Sequence, residues 1–573
     1  MTQFAESLRP RVPRFNHPLA TTRKDLVRDL GAGILLSVFL VPVGMAYAQA
    51  SGLPPISGLY ATVVPMVVYG LVGPSRLLVL GPDSSLAPLI AATVLPLAAS
   101  SPQSATTMAA ALAIGTGLIS LAAGLGGLGL LTELLSLPIR RGYLIGVAVV
   151  VGAGQLPLLL GIEAEGGTLN TVWDVIVTIV QGGLGLGTAA VGLASLIGLI
   201  VVGRLKSNLY AVAITVAVAI MATRLFGLPD DLAVVGSLPR GAPSLTVPSI
   251  ARSDLGPLAI GAISVALVSF ADTSVLSQSY ASREARHVDP NRELATLGLA
   301  NLACGFFQGF PVSGSSSRTP VLESAGARSQ TAGLVAAATV LALIGTAPDA
   351  LSTLPLATLA AVLIVSVSRL IGWDDARRLR QARPSEFALS MICAAGVVVA
   401  GPLWGIGLAV AMSILVFLLR SWRPHTTVLV RVDGLKGYHD FDRHPEGRQV
   451  PGLLLYRFDA PLFFANAEVF RKDLSDRVNQ AGPGLKRVII TAEPITDIDA
   501  TADHTLLAIC DELQSQGIEL GFAELKGVVR DQLQRSGTVK TIGPDNFHPT
   551  VGRAVQDYVE AHDIDWVDWE DTE

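Results

Sequence analysis

Two short polar runs interrupt the apolar first two thirds of this chain, and they contain residue types that bind anions. The first run is LLVLGPDSS, at the start of an apolar segment at 83–98, and the second is GFPVSGSSS, at the start of one at 314–326. Each run joins an extended lead that contains glycine and proline to small hydroxyl residues. Because Pro82 and Pro311 have no N–H group, neither helix can extend backwards through its lead. The pattern predicts two helices that begin inside the apolar region.

The start of a helix attracts negative charge. It has unsatisfied backbone N–H groups and about half a positive charge, so two starts that face each other in a membrane form an anion site without a lysine. Hydroxyl groups beside them can donate further hydrogen bonds, although ordinary N-caps in helix-breaking loops are the alternative interpretation. The residues of the two runs that we expect to line this site are Asp83, Ser84, Ser85, Ser315, Ser316 and Ser317.

Three charged side chains are candidates for a functional role, two of them in these segments and one in another apolar segment, because a charge in an apolar span is costly and is usually functional or paired. Arg318 follows the second serine run and would add positive potential to the anion pocket, unless it is a structural, ion-paired arginine. Asp272 lies within LAIGAISVALVSFADTSVL and is a candidate for carrying a coupling proton or for neutralising Arg318 when no anion is bound. Asp83 is either a cap of the first helix or a protonatable gate.

The composition indicates which class of protein positions these residues. Half of the 573 residues are hydrophobic, 15% are charged and the mean hydropathy is +0.53, whereas a soluble chain has about 25% charged residues. Residues 427–573 have a net charge of −11 and the preceding residues one of +6. These values exclude a disordered or collagen-like chain and predict a polytopic membrane protein with an acidic soluble domain. An acidic domain also argues against a nucleic-acid partner.

Nothing in the sequence indicates an enzyme, a metal site or a cofactor. The three cysteines, Cys304, Cys393 and Cys510, are far apart and fit no metal or redox spacing. The histidines show no ligand spacing, and there is no phosphate-binding glycine motif. No nucleophile and base are paired in the pattern, so we expect no catalytic residues.

The number of membrane spans is predicted from the lengths of the apolar segments. A bilayer core of about 30 Å needs about 20 apolar residues per helix, and the short apolar segment 171–182 is predicted to be an interfacial helix. Basic residues precede the first span at 1–28 without a cleavage site, and arginines recur in alternate loops. Both termini are therefore predicted to be cytoplasmic, in a multi-pass protein of the cell membrane. The fourteen candidate spans are 29–48, 56–73, 83–98, 105–127, 138–160, 184–204, 207–225, 255–278, 292–310, 314–326, 331–347, 354–371, 386–402 and 404–421.

The two interrupted spans are the third and the tenth, so each is the third of its half. Seven plus seven spans with a broken helix at matching positions are typical of an inverted-repeat transporter. An odd number of spans in each repeat makes the two halves antiparallel.

Several stretches resemble the SulP anion permeases, the family that includes the family-26 solute carriers. They are VPVGMAYAQASGLPP, PPISGLYATVVPMVVYGLVGPSR, NRELATLGLAN, GFPVSGSSSRT and SQTAG, in the order and spacing of the family. Residues 424–573 resemble the STAS domain that closes these proteins. The resemblance implies a transport domain at 29–423 in two inverted repeats, with a core bundle of spans 1–4 and 8–11 and a gate bundle of spans 5–7 and 12–14.

The resemblance also assigns roles to single residues. Tyr47 matches the aromatic residue that lines the anion site from span 1, and Ser317 with Arg318 matches the Ser-Arg pair of span 10. Asp272 matches the acidic position of span 8 that is linked to proton coupling. Glu293 and Asn301 match positions in span 9 that are structural.

The chain departs from the family at positions beside the site. Val43 stands where many relatives have glutamine, which removes one polar contact to substrate, and Asp83 stands where an apolar or aromatic residue is frequent. Leu276 occupies the position of a hydroxyl residue found in sodium-coupled bicarbonate relatives. This favours proton coupling over sodium coupling, although the neighbouring Ser277 leaves sodium open.

The soluble region alternates strand-like and helical patterns, which predicts helices packed on a mixed sheet. The segment TDIDATADHTL resembles the STAS loop in which some relatives carry a phosphorylated serine, and Thr501 occupies about that place. Thr501 is therefore a weak candidate for regulation, and a plain N-cap is the alternative. The predicted strands are 426–432, 453–458, 487–492 and 518–525, and the predicted helices are 466–480, 501–516 and 550–562.

These features together predict a secondary transporter of an inorganic oxyanion of the sulfate or bicarbonate type, coupled to protons and working by alternating access. The STAS domain would regulate it or form a homodimer. The alternatives are an uncoupled anion exchanger, a dicarboxylate carrier, or a membrane-bound regulator in which the STAS domain signals.

Overall fold

The computed structural model describes residues 22–100, 104–129, 136–164, 167–205, 208–226, 232–283, 288–315 and 317–569. The chain forms two compact units, Met1–Ser413 and Ile414–Glu573. Most of the basic segment 1–28 lies outside the described residues. The boundary between the units falls inside one helix, Pro402–Trp422, ten residues before the predicted one.

The first unit is built from apolar helices, and a helix occurs at each predicted span. Eight of the described helices are long and apolar enough to cross a membrane, and five shorter apolar helices accompany them. The predicted interfacial segment forms a helix of its own, α6. The helices are α1 (Arg23–Ala50), α2 (Pro55–Val72), α3 (Ala87–Ser100), α4 (Ala105–Leu125), α5 (Leu137–Leu160), α6 (Thr168–Val180), α7 (Leu186–Leu205), α8 (Asn208–Phe226), α9 (Leu255–Arg283), α10 (Pro290–Phe306), α11 (Arg318–Ser324), α12 (Thr331–Thr346), α13 (Leu356–Ser368), α14 (Trp373–Ala382), α15 (Pro384–Ala400) and α16 (Pro402–Trp422).

The helices of this unit pack in two groups. In the first group α1 to α4 pack with α9 to α12, and in the second α5, α7 and α8 pack with α13 and α15. Glycines allow the closest approaches, as small residues do in membrane helices. A Cβ atom at Gly117 of α4 would lie 2.6 Å from the backbone N of Leu302, and one at Gly298 of α10 would lie 2.5 Å from that of Leu121. The α4–α10 contact therefore depends on both glycines.

The second unit is an α/β domain with one six-stranded sheet. The strands are β3 (Thr426–Arg431), β4 (Tyr438–Asp440), β5 (Leu453–Phe458), β6 (Arg487–Thr491), β7 (Glu519–Ala523) and β8 (Phe547–His548), and the helices are α17 (Ala467–Ala481), α18 (Ala500–Ser515), α19 (Gly527–Ser536), α20 (Thr538–Ile542) and α21 (Val551–His562). The sheet order is β4-β3-β5-β6-β7-β8, with β5 to β8 parallel and β3 antiparallel to both of its neighbours. All four predicted strands and all three predicted helices occur within two residues of the expected bounds. Two short strands, β4 and β8, and two helices, α19 and α20, add to them.

Strand alternation divides the core of this domain into two layers. Val488 and Ile490 of β6 point to one face, where α17 and α18 cover them, whereas Ile489 points to the other. Tyr558 of α21 is fully buried on that second face. Both faces of the parallel strands are apolar because helices cover both, as expected for an α/β sheet.

Candidate functional site

A two-stranded ladder brings the two polar runs together. Strand β1 (Leu80–Gly81) pairs antiparallel with β2 (Ser313–Gly314). The N–H group of Ser315 donates to the carbonyl oxygen of Val79 at 3.0 Å, which extends the ladder by one hydrogen bond. The two leads that precede the interrupted helices α3 and α11 therefore lie side by side.

Both helices begin four residues later than predicted. A turn at 84–86 precedes α3, which starts at Ala87, and residues 313–314 belong to the ladder, so α11 starts at Arg318. The α11 helix has seven residues and α3 has fourteen. Because a macrodipole is the sum over a helix, the two starts do not contribute equally. Arg318 supplies the charge that the short helix lacks.

Asp83 makes local contacts in the turn before α3. One of its carboxylate oxygens, Oδ2, accepts from the N–H group of Ser85 at 3.2 Å and from the Ser85 hydroxyl at 3.0 Å. The bond to the backbone N–H group forms an Asx-turn, which satisfies one backbone donor of this turn. The side chain of Asp83 thus serves the turn before α3.

Arg318 is the fully buried charge of the site. Its residue surface is 0% exposed, and within the described part of the chain none of its three guanidinium nitrogens has a hydrogen-bond partner. The nearest carboxylate oxygen, Oδ1 of Asp83, lies 3.8 Å from Nη2, within ion-pair distance but too far for a hydrogen bond. Burying such donors without acceptors is costly. The arrangement is suited to a ligand that brings several acceptor oxygens.

Further polar side chains lie near this guanidinium, and together with it they form what we call the pocket of Arg318. Tyr47 of α1 is buried, and its hydroxyl lies near the Ser84 and Ser366 side chains. On the opposite lead, the hydroxyls of Ser315 and Ser317 lie 3.1 Å apart. Ser315 Oγ also accepts a hydrogen bond from the backbone N–H group of Arg318 at 3.3 Å. Ser316, also expected here, lies outside the described residues.

Asp272 does not neutralise Arg318, and that expectation is wrong. Its Oδ1 atom lies 2.9 Å from Nη2 of Arg140, and its Oδ2 atom accepts from the Ser85 hydroxyl at 2.7 Å. Arg140 belongs to α5, in the second group of helices, whereas Asp272 and Ser85 belong to the first. The ion pair therefore joins the two groups, and Ser85 links Asp272 to Asp83.

Sequence reasoning missed Arg140 as a partner. It lies 132 positions from Asp272, and the sequence indicates it only as one of the arginines that recur in alternate loops. The available signal was its place at the start of a predicted span, next to an apolar segment, where an arginine is usually paired.

Glu293 and Asn301 hold the leads in place, which is the structural role that the resemblance implies. Glu293 is buried and accepts hydrogen bonds from Tyr69 at 2.5 Å, Ser277 at 2.8 Å and Ser75 at 3.1 Å. Asn301 binds the backbone of the β2 lead, accepting from the N–H group of Val312 at 2.8 Å. Ser277 is therefore engaged in this network.

The close approach of Gly81 to Arg318 leads to a first prediction. A Cβ atom at residue 81 would lie 2.7 Å from Nη1 of Arg318, so Gly81→Ala displaces the guanidinium. We expect about a tenfold loss of anion affinity, measured by titration calorimetry of the purified protein. Gly345→Ala is the matched control, because a Cβ atom there meets nothing within 4 Å. Unchanged affinity in Gly81→Ala would contradict the placement of the anion at Arg318.

Thr501 is not the N-cap of its helix. Asp499 is the N-cap residue of α18, and its side chain accepts from the N–H group of Ala502 at 2.8 Å. Thr501 is exposed in the first turn. Asp499 takes the cap position because the helix starts one residue earlier than the pattern predicted.

The fold and the site together define a polytopic membrane protein that surrounds a buried cationic pocket and ends in an α/β domain. The model of the sulfate permease family matches residues 26–393, and the model of the STAS domain matches residues 444–554. The chain belongs to the sulfate permease family and has a C-terminal STAS domain. It is a multi-pass protein of an anion-transporter family, not an enzyme.

Curated relatives match nearly the whole chain. The chain is 36% identical to a Mycobacterium tuberculosis protein named "Probable sulfate transporter", over 93% of this chain and 95% of that protein. It is 27% identical to the chloroplastic sulfate transporter 4.1 of Arabidopsis thaliana, over 94% and 81%. It is also 31% identical to human solute carrier family 26 member 6, over 80% and 64%.

Solved structures share the fold. The murine solute carrier 26 family member A9, described as an anion transporter in the inward-facing state, matches with a TM-score of 0.83 and 20% identity, over 98% of this chain and 95% of that one. The transmembrane domain of a cyanobacterial bicarbonate transporter matches with a TM-score of 0.59 and 21% identity, over 69% and 98%.

Proposed function

We propose that this protein is a secondary active transporter of an inorganic oxyanion, with sulfate as the first candidate and bicarbonate as the second. The observation that carries the proposal is the buried guanidinium of Arg318, whose donors have no acceptor among the described residues. A tetrahedral oxyanion offers several acceptors to Arg318, while the hydroxyls of Tyr47, Ser84 and Ser317 donate from the sides. The names of the relatives favour sulfate. Bicarbonate is the second candidate because the cyanobacterial protein of the same fold is described as a bicarbonate transporter.

The arrangement of spans in this proposal is fourteen helices in two inverted repeats of seven. The antiparallel β1–β2 pairing supports it, because an inverted repeat brings equivalent leads together in opposite directions. The first packing group corresponds to the core bundle and the second to the gate bundle. In the proposed orientation both termini are cytoplasmic, in the cell membrane, and the STAS domain regulates transport or supports a homodimer.

Alternating access in this proposal moves the core bundle against the gate bundle. The Arg140–Asp272 ion pair joins them and therefore holds one state. A proton on Asp272 removes the negative charge, so the attraction of Arg140 is lost and the bundles can separate. Ser85 is the link to the anion pocket, because its single hydroxyl proton can be donated to Asp272 or to Asp83 but not to both at once. Binding of the proton at Asp272 and binding of the anion near Asp83 are therefore coupled through Ser85.

Uptake by purified protein in liposomes tests the proposed function. Radiolabelled sulfate is offered with an inward proton gradient, the membrane potential is set to zero, and bicarbonate, chloride and succinate are added as competitors. Saturable sulfate uptake that a protonophore stops is the expected result. Uptake that needs only a trans anion indicates an exchanger, and succinate as the preferred competitor indicates a dicarboxylate carrier. Absence of transport, with a cellular output that requires residues 427–573, would favour the regulator.

A further inference from the structure

A second cationic cavity lies within the helical unit, outside the pocket of Arg318. It has a volume of about 260 Å³ and is lined by the first turns of α5, by residues 369–372, by α14 and by the first half of α15. The charged residues that line it are Arg140, Arg141, Arg369 and Asp375. We call this cavity the arginine vestibule.

The charges in the vestibule are not balanced. Arg141 is paired with Asp375 at 2.8 Å, which is the one carboxylate among the described lining residues. Arg140 turns Nη2 towards Asp272, while its Nε atom is buried and has no hydrogen-bond partner among the residues that the structure describes. Arg369 has no carboxylate within ion-pair distance in the described part of the chain. A cleft lined by one sign of charge concentrates ions of the opposite sign.

The vestibule adjoins the anion pocket through Asp272. Arg140 contacts Asp272, which accepts from Ser85 in the turn before α3. An anion in the vestibule is therefore already next to the elements that line the pocket of Arg318.

We propose that the arginine vestibule is a second anion site, which binds a small inorganic oxyanion ahead of the pocket of Arg318. This inference rests on the proposed function, because the same anion is transported. Arg369 is its principal ligand, since its guanidinium is the one not engaged by a carboxylate, and the buried Nε of Arg140 is a second donor.

Arginines that serve only to orient the protein in the membrane do not need to line a common cavity. On the neighbouring helix α14, Arg377, Arg378 and Arg380 are exposed like Arg369, but they do not line the cavity. These residues suffice for a basic cytoplasmic side. The lining arginines instead converge on one cavity with Ser390, and Arg378 supplies a control with the same charge on the same surface.

Transport kinetics test the vestibule. Arg369→Gln removes a charge that concentrates the anion but leaves the pocket of Arg318 intact. We expect the KM for sulfate from the vestibule side to rise about tenfold while kcat stays within about twofold. Arg369→Lys should recover most of the affinity, and Arg378→Gln should change KM less than twofold. The difference between wild type and Arg369→Gln should shrink at high ionic strength, because salt screens the solvated charge.

Binding to a protein without the main site separates this inference from the proposed function. In Arg318→Gln, titration calorimetry with sulfate should show one remaining weak site, in the millimolar range, that the double variant with Arg369→Gln loses. Loss of all binding in Arg318→Gln, or a KM within twofold of wild type in Arg369→Gln, would overturn the vestibule. Wild-type protein that does not transport sulfate, together with the weak site, would instead count against the proposed function alone.

Discussion

Replacement of Arg318 by glutamine is expected to weaken sulfate binding by at least about a hundredfold and to stop measurable uptake. The substitution keeps a polar side chain, but the amide is shorter and lacks the positive charge and most of the donors. The buried guanidinium has no other acceptor in the described protein, so its donors are available to the substrate. A charge-assisted, desolvated contact contributes about 3 kcal/mol or more, which corresponds to that loss.

Loss of folding must be distinguished from loss of binding, because Arg318→Gln also leaves Asp83 without its nearby cation. The double variant with Asp83→Asn removes both charges and should restore the melting temperature without restoring sulfate affinity. Arg318→Lys keeps a point charge but not the planar fork, so we expect intermediate affinity. Binding by Arg318→Gln within threefold of wild type would refute the assignment, whatever its stability.

Sequence alone located the two leads because their signals are local. Pro82 and Pro311 exclude a continuous helix, and the serine runs mark its restart. That the leads face each other followed from their equivalent positions in the two halves, and the β1–β2 ladder has this arrangement. The exact starts were missed because a turn and a ladder use the first hydroxyl residues before either helix begins.

Partners across the fold could not be predicted in this way. The pairing of Asp272 with Arg140 depends on how α9 packs relative to α5, and neither residue type nor local spacing contains that information. Charge balance alone made Arg318 the natural partner of Asp272, yet Asp83 is nearer to Arg318 because both belong to the same pair of leads. Short elements such as β8, which has two residues, have too little pattern to detect.

Replacement of Asp272 by asparagine is expected to abolish proton-driven accumulation of sulfate while leaving exchange of sulfate for sulfate. The amide cannot carry the proton, but it can still accept from the Ser85 hydroxyl, so the anion pocket keeps its shape. With the membrane potential at zero and one proton per sulfate, an inward gradient of one pH unit supports about tenfold accumulation in the wild type. The variant should stop at the external concentration.

The same substitution also distinguishes a proton carrier from a structural acid. Asparagine removes the ion pair with Arg140, so a purely structural Asp272 would lose exchange and accumulation together. In a proton carrier only the response to pH is lost, because the neutral side chain imitates the protonated state throughout the cycle. Ser264→Ala, at a half-buried position on α9 whose hydroxyl, among the described residues, binds only its own helix, is the control and should keep both activities. Exchange that persists and still accelerates with the proton gradient would place the coupling proton on another group.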